Sequence, residues 1–311
     1  RRTGTIFAAP AEDESKVSTL VPFELADGTG YVIEFSNLKA RFFKANAQIR
    51  EANKTITAIT KASPAVVTSS SHGYSNGDEI YISAVVGMTQ VNGRWFTAAG
   101  VTTNTFQLSG IDSSEYSTYS SAGTAAKVYE ITTPWSDTMA DDVQWAQDGN
   151  TLYLTHSDKM VRKLTRSSDT SWTLATVVFT DGPYLDTNIS TTTITPSGTT
   201  GSITLTASAS TFAATDTSGS GGSGEIDRLV RIKIGSDYGY AKITAYSSAT
   251  SVTASVLSTI GGTSAATDWK LGSFSSTTGF PKTVHFFEQR LMLANTASEP
   301  QGLWGSVTGL S

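Results

Sequence analysis

The chain alternates short runs of β-forming residues with turn signals, and this alternation limits its fold more than any other feature. The runs 31–35, 79–82 and 151–154 are rich in Val, Ile, Tyr and Leu. Pairs that favour tight turns lie between such runs, as at Asn92-Gly93 and Asp148-Gly149. Short strands at this spacing, without helices between them, are typical of sandwiches, barrels and propellers, so we predict an all-β protein.

Only two stretches have a helical pattern. Residues 136–143 are the first, with Ser136 as the N-cap and Asp137 in the first turn. Residues 44–52 are the second. We expect at most short helices at these two places.

The composition favours a folded protein with uncharged polar outer faces. Hydrophobic residues make up 38% of the chain and charged residues only 16%, whereas disordered chains usually combine low hydrophobicity with high charge. The net charge of −5 argues against a general nucleic-acid binder, although DNA could slide past such a surface. Because the chain has no cysteine, disulfides and thiolate metal sites are excluded. No apolar run is long enough for a spanning helix, and we predict no membrane-spanning segment.

A repeated plan of short strands points to propeller blades. From Val143 the chain reads as strand, turn, strand 151–156, turn, strand 160–165, polar turn and strand 172–179. A similar plan starts at Thr283 and ends in Leu303-Trp304-Gly305. Up-and-down meanders of this kind, with a Trp on a late strand, resemble blades of a β-propeller. Since the chain opens with Arg1 and stops at Ser311 inside this plan, we interpret it as an internal piece of a longer protein.

Two Ser/Thr-rich stretches interrupt that plan, and each is long enough for a small β-barrel or sandwich. We therefore predict a partial β-propeller framework with two inserted domains. The predicted boundaries are 1–55 for an N-terminal framework segment, 56–127 for the first insertion, 128–190 for a blade, 191–275 for the second insertion and 276–311 for the start of the next blade.

Motifs that bind ligands or catalyse reactions in other proteins have structural explanations in this chain. Gly219, Gly221 and Gly224 satisfy G-x-G-x-x-G, but the run leads into a strand and not a helix, so we predict a loop. His72, His156 and His285 are the only histidines, and none has a partner at metal-ligand spacing. No nucleophile elbow accompanies them.

The acidic and basic clusters of the sequence do not indicate a specific chemistry either. The segment Ser167–Trp172 resembles the Asp-box turn of sialidase-type propellers, although Ser171 stands where that turn expects Gly, and we expect Asp169 to cap its turn through its side chain. For Asp141-Asp142 and for Asp181 with Asp186, we predict capping and turn roles. The cluster Arg162, Lys163 and Arg166 predicts cross-strand ion pairs, with a phosphate contact as the alternative.

Several stretches, in order, resemble the podovirus tail nozzle family, also called tail tubular protein B. At the start they are Arg2-Thr3-Gly4-Thr5-x-Phe7, Leu20-Val21-Pro22-Phe23, Tyr31–Phe35 and Arg41-Phe42. The middle carries Ile131–Trp135, Met160–Leu164 and Phe179-x-Asp181-Gly182-Pro183-Tyr184. The last are Phe286–Leu291 and Glu299-Pro300-Gln301-x-x-Trp304-Gly305-Ser306.

The first insertion resembles a different family, the small β-domain named FCCH after ubiquitin-activating enzymes. The residues concerned are Ser63–Thr68, His72-Gly73-Tyr74, Gly77-Asp78, Gly87-Met88 and Val91-Asn92-Gly93. The surrounding chain has no adenylating domain, so we expect no ubiquitin-related activity.

The nozzle resemblance implies a structural virion protein of a short-tailed bacteriophage, assembled in the host cytoplasm. It implies a hexameric ring at the distal end of the tail, in contact with an adaptor protein and with other tail or fibre proteins. The ring would enclose a channel for transient passage of phage DNA. We expect no enzymatic activity, no catalytic or metal site and no cofactor.

Two alternatives belong to other functional classes. A receptor- or carbohydrate-binding virion module would use exposed aromatic residues of the first insertion, for which Trp95, Tyr116 and Tyr119 are the candidates. A depolymerase would need two facing carboxylates, for which Asp181 and Asp186 are the candidates.

Overall fold

Nearly every regular element is a β-strand in the computed structural model, which describes residues 7–214 and 224–307. The all-β prediction is confirmed. In this part of the chain the helical elements are one turn of α-helix, α1 (Asp137–Ala140), and one 3-10 turn (Thr89–Val91). The chain divides into two compact units, of which the first comprises residues up to 141 with 166–172, and the second residues 142–165 and those from 173 onward.

Twelve of the described strands lie wholly in the first unit. In chain order they are β1 (Thr19–Glu24), β2 (Gly30–Phe35), β3 (Lys39–Lys44), β4 (Ala47–Gln48), β5 (Lys54–Thr55), β6 (Ala58–Ile59), β7 (Val66–Thr68), β8 (Glu79–Val86), β9 (Arg94–Ala99), β10 (Thr105–Leu108), β11 (Ser121–Lys127) and β12 (Glu130–Thr132). They form two antiparallel sheets.

The first sheet has the order β1-β2-β3-β12, with β4 paired to β3. Its strands alternate, so that Val21, Phe23 and Ile33 are buried on the inner face while Leu20 and Val32 face outward. Burial of the inner face is the main favourable contribution to the stability of such a sheet.

The hairpin tip 166–172 completes the inner face of this sheet. Trp172 is buried and stacks on Phe42 with ring centroids 4.4 Å apart. It also contacts Phe23 edge-on at 4.9 Å, and its backbone N–H donates to the hydroxyl of Tyr129 at 2.9 Å. Trp172, expected to lie on a late strand of a blade, therefore belongs to the core of the first unit.

The strands of the second sheet all lie between β4 and β12 in the chain, so the second sheet is an insertion into the first. Its seven strands follow the order β5-β11-β8-β9-β10-β7-β6 and curl around a core of their own. The most deeply buried members of that core are Ile80, Ile82, Met88, Phe106 and Leu108. An isolated bridge pairs Arg50, which precedes the strands of the second sheet, with Val128, which follows them.

The two helix predictions have different outcomes. A helical turn does form at α1, and Ser136 occupies its N-cap position, but no side-chain hydrogen bond caps the helix. The helix expected at 44–52 is wrong. Ala45 and Asn46 both have positive φ and form the two-residue turn of the β3–β4 hairpin, where Lys44 pairs with Ala47.

Thirteen strands follow α1, and β15 and β16 belong in part to each unit. They are β13 (Gln144–Asp148), β14 (Thr151–His156), β15 (Lys159–Ser168), β16 (Ser171–Thr176), β17 (Ile194–Pro196), β18 (Ser202–Ala207), β19 (Leu229–Ile234), β20 (Asp237–Ser248), β21 (Ser251–Ser258), β22 (Trp269–Leu271), β23 (Thr283–Phe287), β24 (Arg290–Ala294) and β25 (Leu303–Gly305). The predicted turn 166–171 is shorter than expected, since β15 continues to Ser168.

Two meanders form the framework of the second unit. The sheets β13-β14-β15-β16 and β23-β24-β25 are both built from sequential antiparallel strands, as predicted for propeller-like blades. Tyr153 and Val161 from one meander share a core with Val284, Leu291 and Leu293 from the other. Each meander thus buries a face that it could not bury alone.

A six-stranded sheet lies between the two meanders in the chain, with the order β17-β18-β21-β20-β19-β22. It has a separate core that includes Ile194, Leu205, Ile232, Ile243 and Val252. The buried pair Glu225–Arg228, at 2.9 Å, joins the start of β19 to the loop before β23, because Thr277 donates to Glu225 and Arg228 donates to Gly272 O.

Within the described residues, no helix has the length and apolar character needed to cross a membrane. The expected resemblance at 2–5, the chain ends Arg1 and Ser311, and the glycines Gly219 and Gly221 lie outside the described residues.

Candidate functional site

An open groove lies on the outer face of the first sheet. Its floor is apolar, with Leu20 62% exposed and Val32 40% exposed, and Phe43 beside them. The segment 8–11 forms one wall. We call this the outer groove; its volume is about 640 Å³. A contiguous apolar surface that the protein's own residues leave open is one of the features that can mark a contact with another molecule.

A charged network centred on the buried Arg41 lies on the same face of the sheet. Arg41, only 2% exposed, forms ion pairs with Glu79 at 2.6 Å and with Glu130 at 3.0 Å. Lys39 joins Glu130 at 2.8 Å and Glu12 at 3.1 Å. Burial raises the pKa of Glu79, and the neighbouring Arg41 opposes that rise. Since Glu79 belongs to β8 and Arg41 to β3, the network joins the two sheets of the first unit.

A second charged cluster surrounds Asp169. Its carboxylate accepts hydrogen bonds from the hydroxyl of Tyr31 at 2.6 Å, from Arg166 at 2.7 Å and from Lys44 at 3.0 Å. These bonds, that of Tyr31 foremost, lower the pKa of Asp169 to about 2. The expected side-chain cap of the Asp169 turn is therefore wrong, because the carboxylate contacts β2 and β3 instead. Lys44 also borders the outer groove.

The second unit has an apolar cavity of about 300 Å³, which we call the apolar cavity. Val178 and Leu257 are exposed at its rim, and Asp227 and Lys242 form a 3.0 Å ion pair there. The remaining lining is mostly apolar and includes Met160, Val161, Val177, Phe179, Leu229 and Phe274.

The structure gives two of the three histidines structural partners. The Nδ1 of His72 accepts from the Tyr74 N–H at 3.0 Å, which leaves Nε2 to donate to Thr105 O. The Nδ1 of His156 accepts from the Asp158 N–H at 3.1 Å. Burial lowers the pKa of His156. His285 is exposed on β23. In the described parts of the chain, no three His, Asp or Glu residues group as a metal site.

The acidic candidates Asp141 and Asp181 each bind a hydroxyl group. Thr19 donates to Asp141, which caps the C-terminus of α1, and the hydroxyl of Tyr184 donates to Asp181 at 2.7 Å. The contact of Asp181 with Tyr184 lies within its own turn, as expected. Asp141 occupies the C-cap position of α1, as expected, but its side chain binds Thr19, which is far away in the chain. The roles expected of Asp142 and Asp186 stay predictions.

The basic cluster does not act as one group. Arg166 pairs with Asp169, three residues later in the chain, at 2.7 Å. The cross-strand ion pairs expected of this cluster stay a prediction. Burial lowers the pKa of Arg162, and the charge of Asp227 opposes this effect. Lys163 is exposed on β15.

The expected aromatic platform does not form as predicted. Tyr116 and Tyr119 pack against the core of the seven-stranded sheet, and the Tyr119 hydroxyl donates to Ile56 O at 3.1 Å. Trp95 instead joins Tyr81 at 4.8 Å and Phe7 at 5.9 Å. We call Phe7, Trp95 and Tyr81 the aromatic strip; the guanidinium of Arg50 lies 3.9 Å above the Tyr81 ring.

The outer groove had a sequence signal that the predictions did not use. Leu20-Val21 and Tyr31-Val32-Ile33 are continuous apolar runs, which indicate strands with apolar side chains on both faces. The Asp169 cluster had no such signal, because Tyr31 and Asp169 are far apart in the sequence.

Comparisons with known proteins support one part of the sequence interpretation directly. The family model of the ubiquitin-activating enzyme E1 FCCH domain matches residues 62–129, so the predicted FCCH resemblance of the first insertion is confirmed. No curated protein matches the chain. Among solved structures, the chain is similar to "Phage phi92 endosialidase" with a TM-score of 0.19 and 12% identity over 90% of this chain and 53% of that one. The chain thus spans about half the length of that protein, and similarity at this level carries no information about activity.

Proposed function

We propose that this protein is a structural subunit of a bacteriophage virion, namely of the tail nozzle ring of a short-tailed phage. The observation that carries the proposal is the outer groove. Leu20 and Val32 leave an apolar surface open on the face that also carries the charged network of Arg41. A subunit of an assembly needs such a face, because neighbouring subunits bury it.

The sequence supports the finer part of the proposal. The nozzle-like stretches follow the family's order through both units, and the insertions lie between framework strands. We propose a hexameric ring in contact with an adaptor protein and with other tail or fibre proteins, assembled in the host cytoplasm. The net charge of −5 suits a channel through which DNA passes, since each phosphate-binding Lys or Arg would add a salt-dependent attraction.

Electron microscopy of the full-length protein tests this proposal. We expect negatively stained particles with six-fold symmetry, and the double variant Leu20→Asp/Val32→Asp should lose them because charge in the groove prevents burial. Val86→Asp is the matched control, since Val86 is 50% exposed and lies on β8 outside the groove. A wild-type protein that remains monomeric at high concentration contradicts the proposal.

The aromatic strip favours a second candidate, a carbohydrate- or receptor-binding virion module. Aromatic rings near the surface can stack on sugar rings, and Phe7 is 74% exposed. A glycan array tests this function with Trp95→Ala, which removes the central ring, and with Tyr116→Ala as a control from the core of the same sheet. Signal that survives Trp95→Ala argues against the strip, and an array without wild-type signal argues against the function. That the protein is not an enzyme stays a prediction.

A further inference from the structure

Three basic side chains lie together on one face of the six-stranded sheet. Arg231 of β19 is directly opposite Lys270 of β22, and Lys233 lies on the same face two positions after Arg231. Opposed side chains on neighbouring antiparallel strands are about 5 Å apart, so like charges there repel each other and destabilise the sheet. Among the described residues, none of these three side chains forms an ion pair. Their juxtaposition therefore costs stability without an internal counter-charge.

Tyrosine rings orient two of these cations. The guanidinium of Arg231 lies 4.4 Å from the centroid of the Tyr238 ring and 5.7 Å from that of Tyr184. The ammonium of Lys233 lies 5.2 Å from the Tyr238 ring. Tyr240 of β20 is directly opposite Arg231. A cation–π contact orients a cation without neutralising its charge, so these cations keep their charge for an anion.

Aspartates border this surface. The hydroxyl of Tyr184 donates to Asp181 at 2.7 Å, and that of Tyr238 donates to Asp268 at 3.2 Å. The backbone N–H of Lys233 donates to Asp268 O at 2.9 Å, which places this aspartate at the same edge. We call the surface the basic patch, and its members, all at least partly exposed, are Arg231, Lys233, Lys270, Tyr184, Tyr238 and Tyr240.

The combination of groups fits a sugar that carries a carboxylate. Two opposed cations bind a carboxylate through charge-assisted hydrogen bonds, and tyrosine rings pack against the apolar faces of sugar rings. The bordering aspartates can accept hydrogen bonds from sugar hydroxyls. Single-stranded DNA fits less well, because the aspartates repel its phosphodiester backbone and the net charge of −5 adds to this repulsion.

We propose that the basic patch binds an acidic polysaccharide whose sugars carry carboxylates. The inference goes beyond the structural role proposed above, and it does not depend on ring formation. It also assigns a site in the second unit, whereas the aromatic strip belongs to the first.

Biolayer interferometry with the full-length protein tests the site. The probes are immobilised oligosaccharides of hyaluronan, polygalacturonate and polysialic acid, with a maltose oligosaccharide as the uncharged control and a thymidine oligonucleotide as the second polyanion. We expect at least one acidic oligosaccharide to bind, with an affinity that falls as salt is raised, and the uncharged one not to bind. Absence of binding to all three acidic probes overturns the inference, and so does tighter binding of the oligonucleotide.

Arg231→Ala should weaken binding of the acidic probe at least about tenfold, because its charge-assisted hydrogen bonds to the carboxylate are lost. Arg290→Ala is the matched control, since Arg290 is exposed on β24 outside the patch, and it should leave the affinity unchanged. Equal losses in the two variants overturn the inference. Binding that is lost in Trp95→Ala and kept in Arg231→Ala assigns the glycan to the aromatic strip and overturns it as well.

Lys270→Gln separates a binding role from a structural one. Without glycan, removal of the opposed charge should raise the urea midpoint of unfolding, because like charges no longer face each other across the strands. The same variant should bind the acidic probe several-fold more weakly. Lys163→Gln, at an exposed position of β15, should change neither quantity. A midpoint that stays the same or falls in Lys270→Gln overturns the argument from opposed charges, and none of these results bears on the six-fold ring.

Discussion

The phenol of Tyr31 donates a 2.6 Å hydrogen bond to the carboxylate of Asp169, 138 positions further along the chain. The bond ties a hairpin tip to the first sheet, and the stacking of Trp172 on Phe42 reinforces the same junction. The hairpin tip 166–172 looks like a local turn in the sequence, but tertiary contacts hold it in place.

Asp169→Asn should destabilise the protein by about 1 kcal/mol at pH 7, a value kept low because the side chain is 44% exposed and solvent screens it. The folded pKa of Asp169, about 2, is below its ordinary value of 3.8. The stabilisation is therefore complete above pH 4 and is lost as the pH falls through 2. Urea unfolding at pH 7 and pH 2.5 measures the difference from wild type, which should shrink at the lower pH. The exposed Glu115→Gln is the control, and an equal loss of stability at both pH values would contradict the assignment.

Arg41→Met should cost about 3–5 kcal/mol of unfolding free energy, because it leaves the carboxylate of Glu79 without its buried partner, whereas Glu130 keeps Lys39. Lys61→Met, at an exposed position in the same unit, should change stability by less than about 0.5 kcal/mol. Chemical denaturation monitored by tryptophan fluorescence compares the two variants. Equal effects would show that the network contributes no more than surface charge.

His156→Gln should flatten the pH dependence of stability below about pH 6.5. Burial lowers the folded pKa of His156, so the unfolded chain binds the proton more tightly and wild-type stability decreases as the pH falls below 6.5. Thermal unfolding at pH 7 and pH 5 measures the slope. His285→Gln, on the exposed face of β23, should keep the wild-type slope, and a flattened slope there as well would contradict the role of His156.

Gly87→Ala should destabilise the FCCH-like sheet by more than about 2 kcal/mol, because φ is +92° and a Cβ would overlap the carbonyl oxygen of Thr118. Gly77→Ala has the same φ of +92° but no atom within 4 Å of the added carbon, so only backbone strain of about 1 kcal/mol applies. Urea unfolding of the two variants separates steric overlap from strain. Equal losses would show that the contact with Thr118 relaxes freely.

The fold class and the strand positions follow from local chemistry. The hairpin of β23 and β24 has the predicted ranges 283–287 and 290–294, because alternating apolar residues and a short turn specify it within a dozen positions. The predicted helix at 44–52 failed for the converse reason. Its apolar spacing suits a helix. In the structure, however, Ala45 and Asn46 have positive φ and form the turn by which β4 pairs with β3 in the first sheet.

The sequence by itself determined that this protein is built from short antiparallel strands, that an FCCH-like domain interrupts the first sheet, and that two meanders recur in the second unit. Periodicity and turn residues act over a few positions, so a single sequence displays them. Only the tertiary structure decided that Trp172 belongs to the first core, that Asp169 binds Tyr31, and that the apolar residues Leu20 and Val32 stay open. Those outcomes depend on which surfaces, distant in the sequence, come into contact. The free energy of burying one surface against another depends on both segments together, so neither segment alone predicts it.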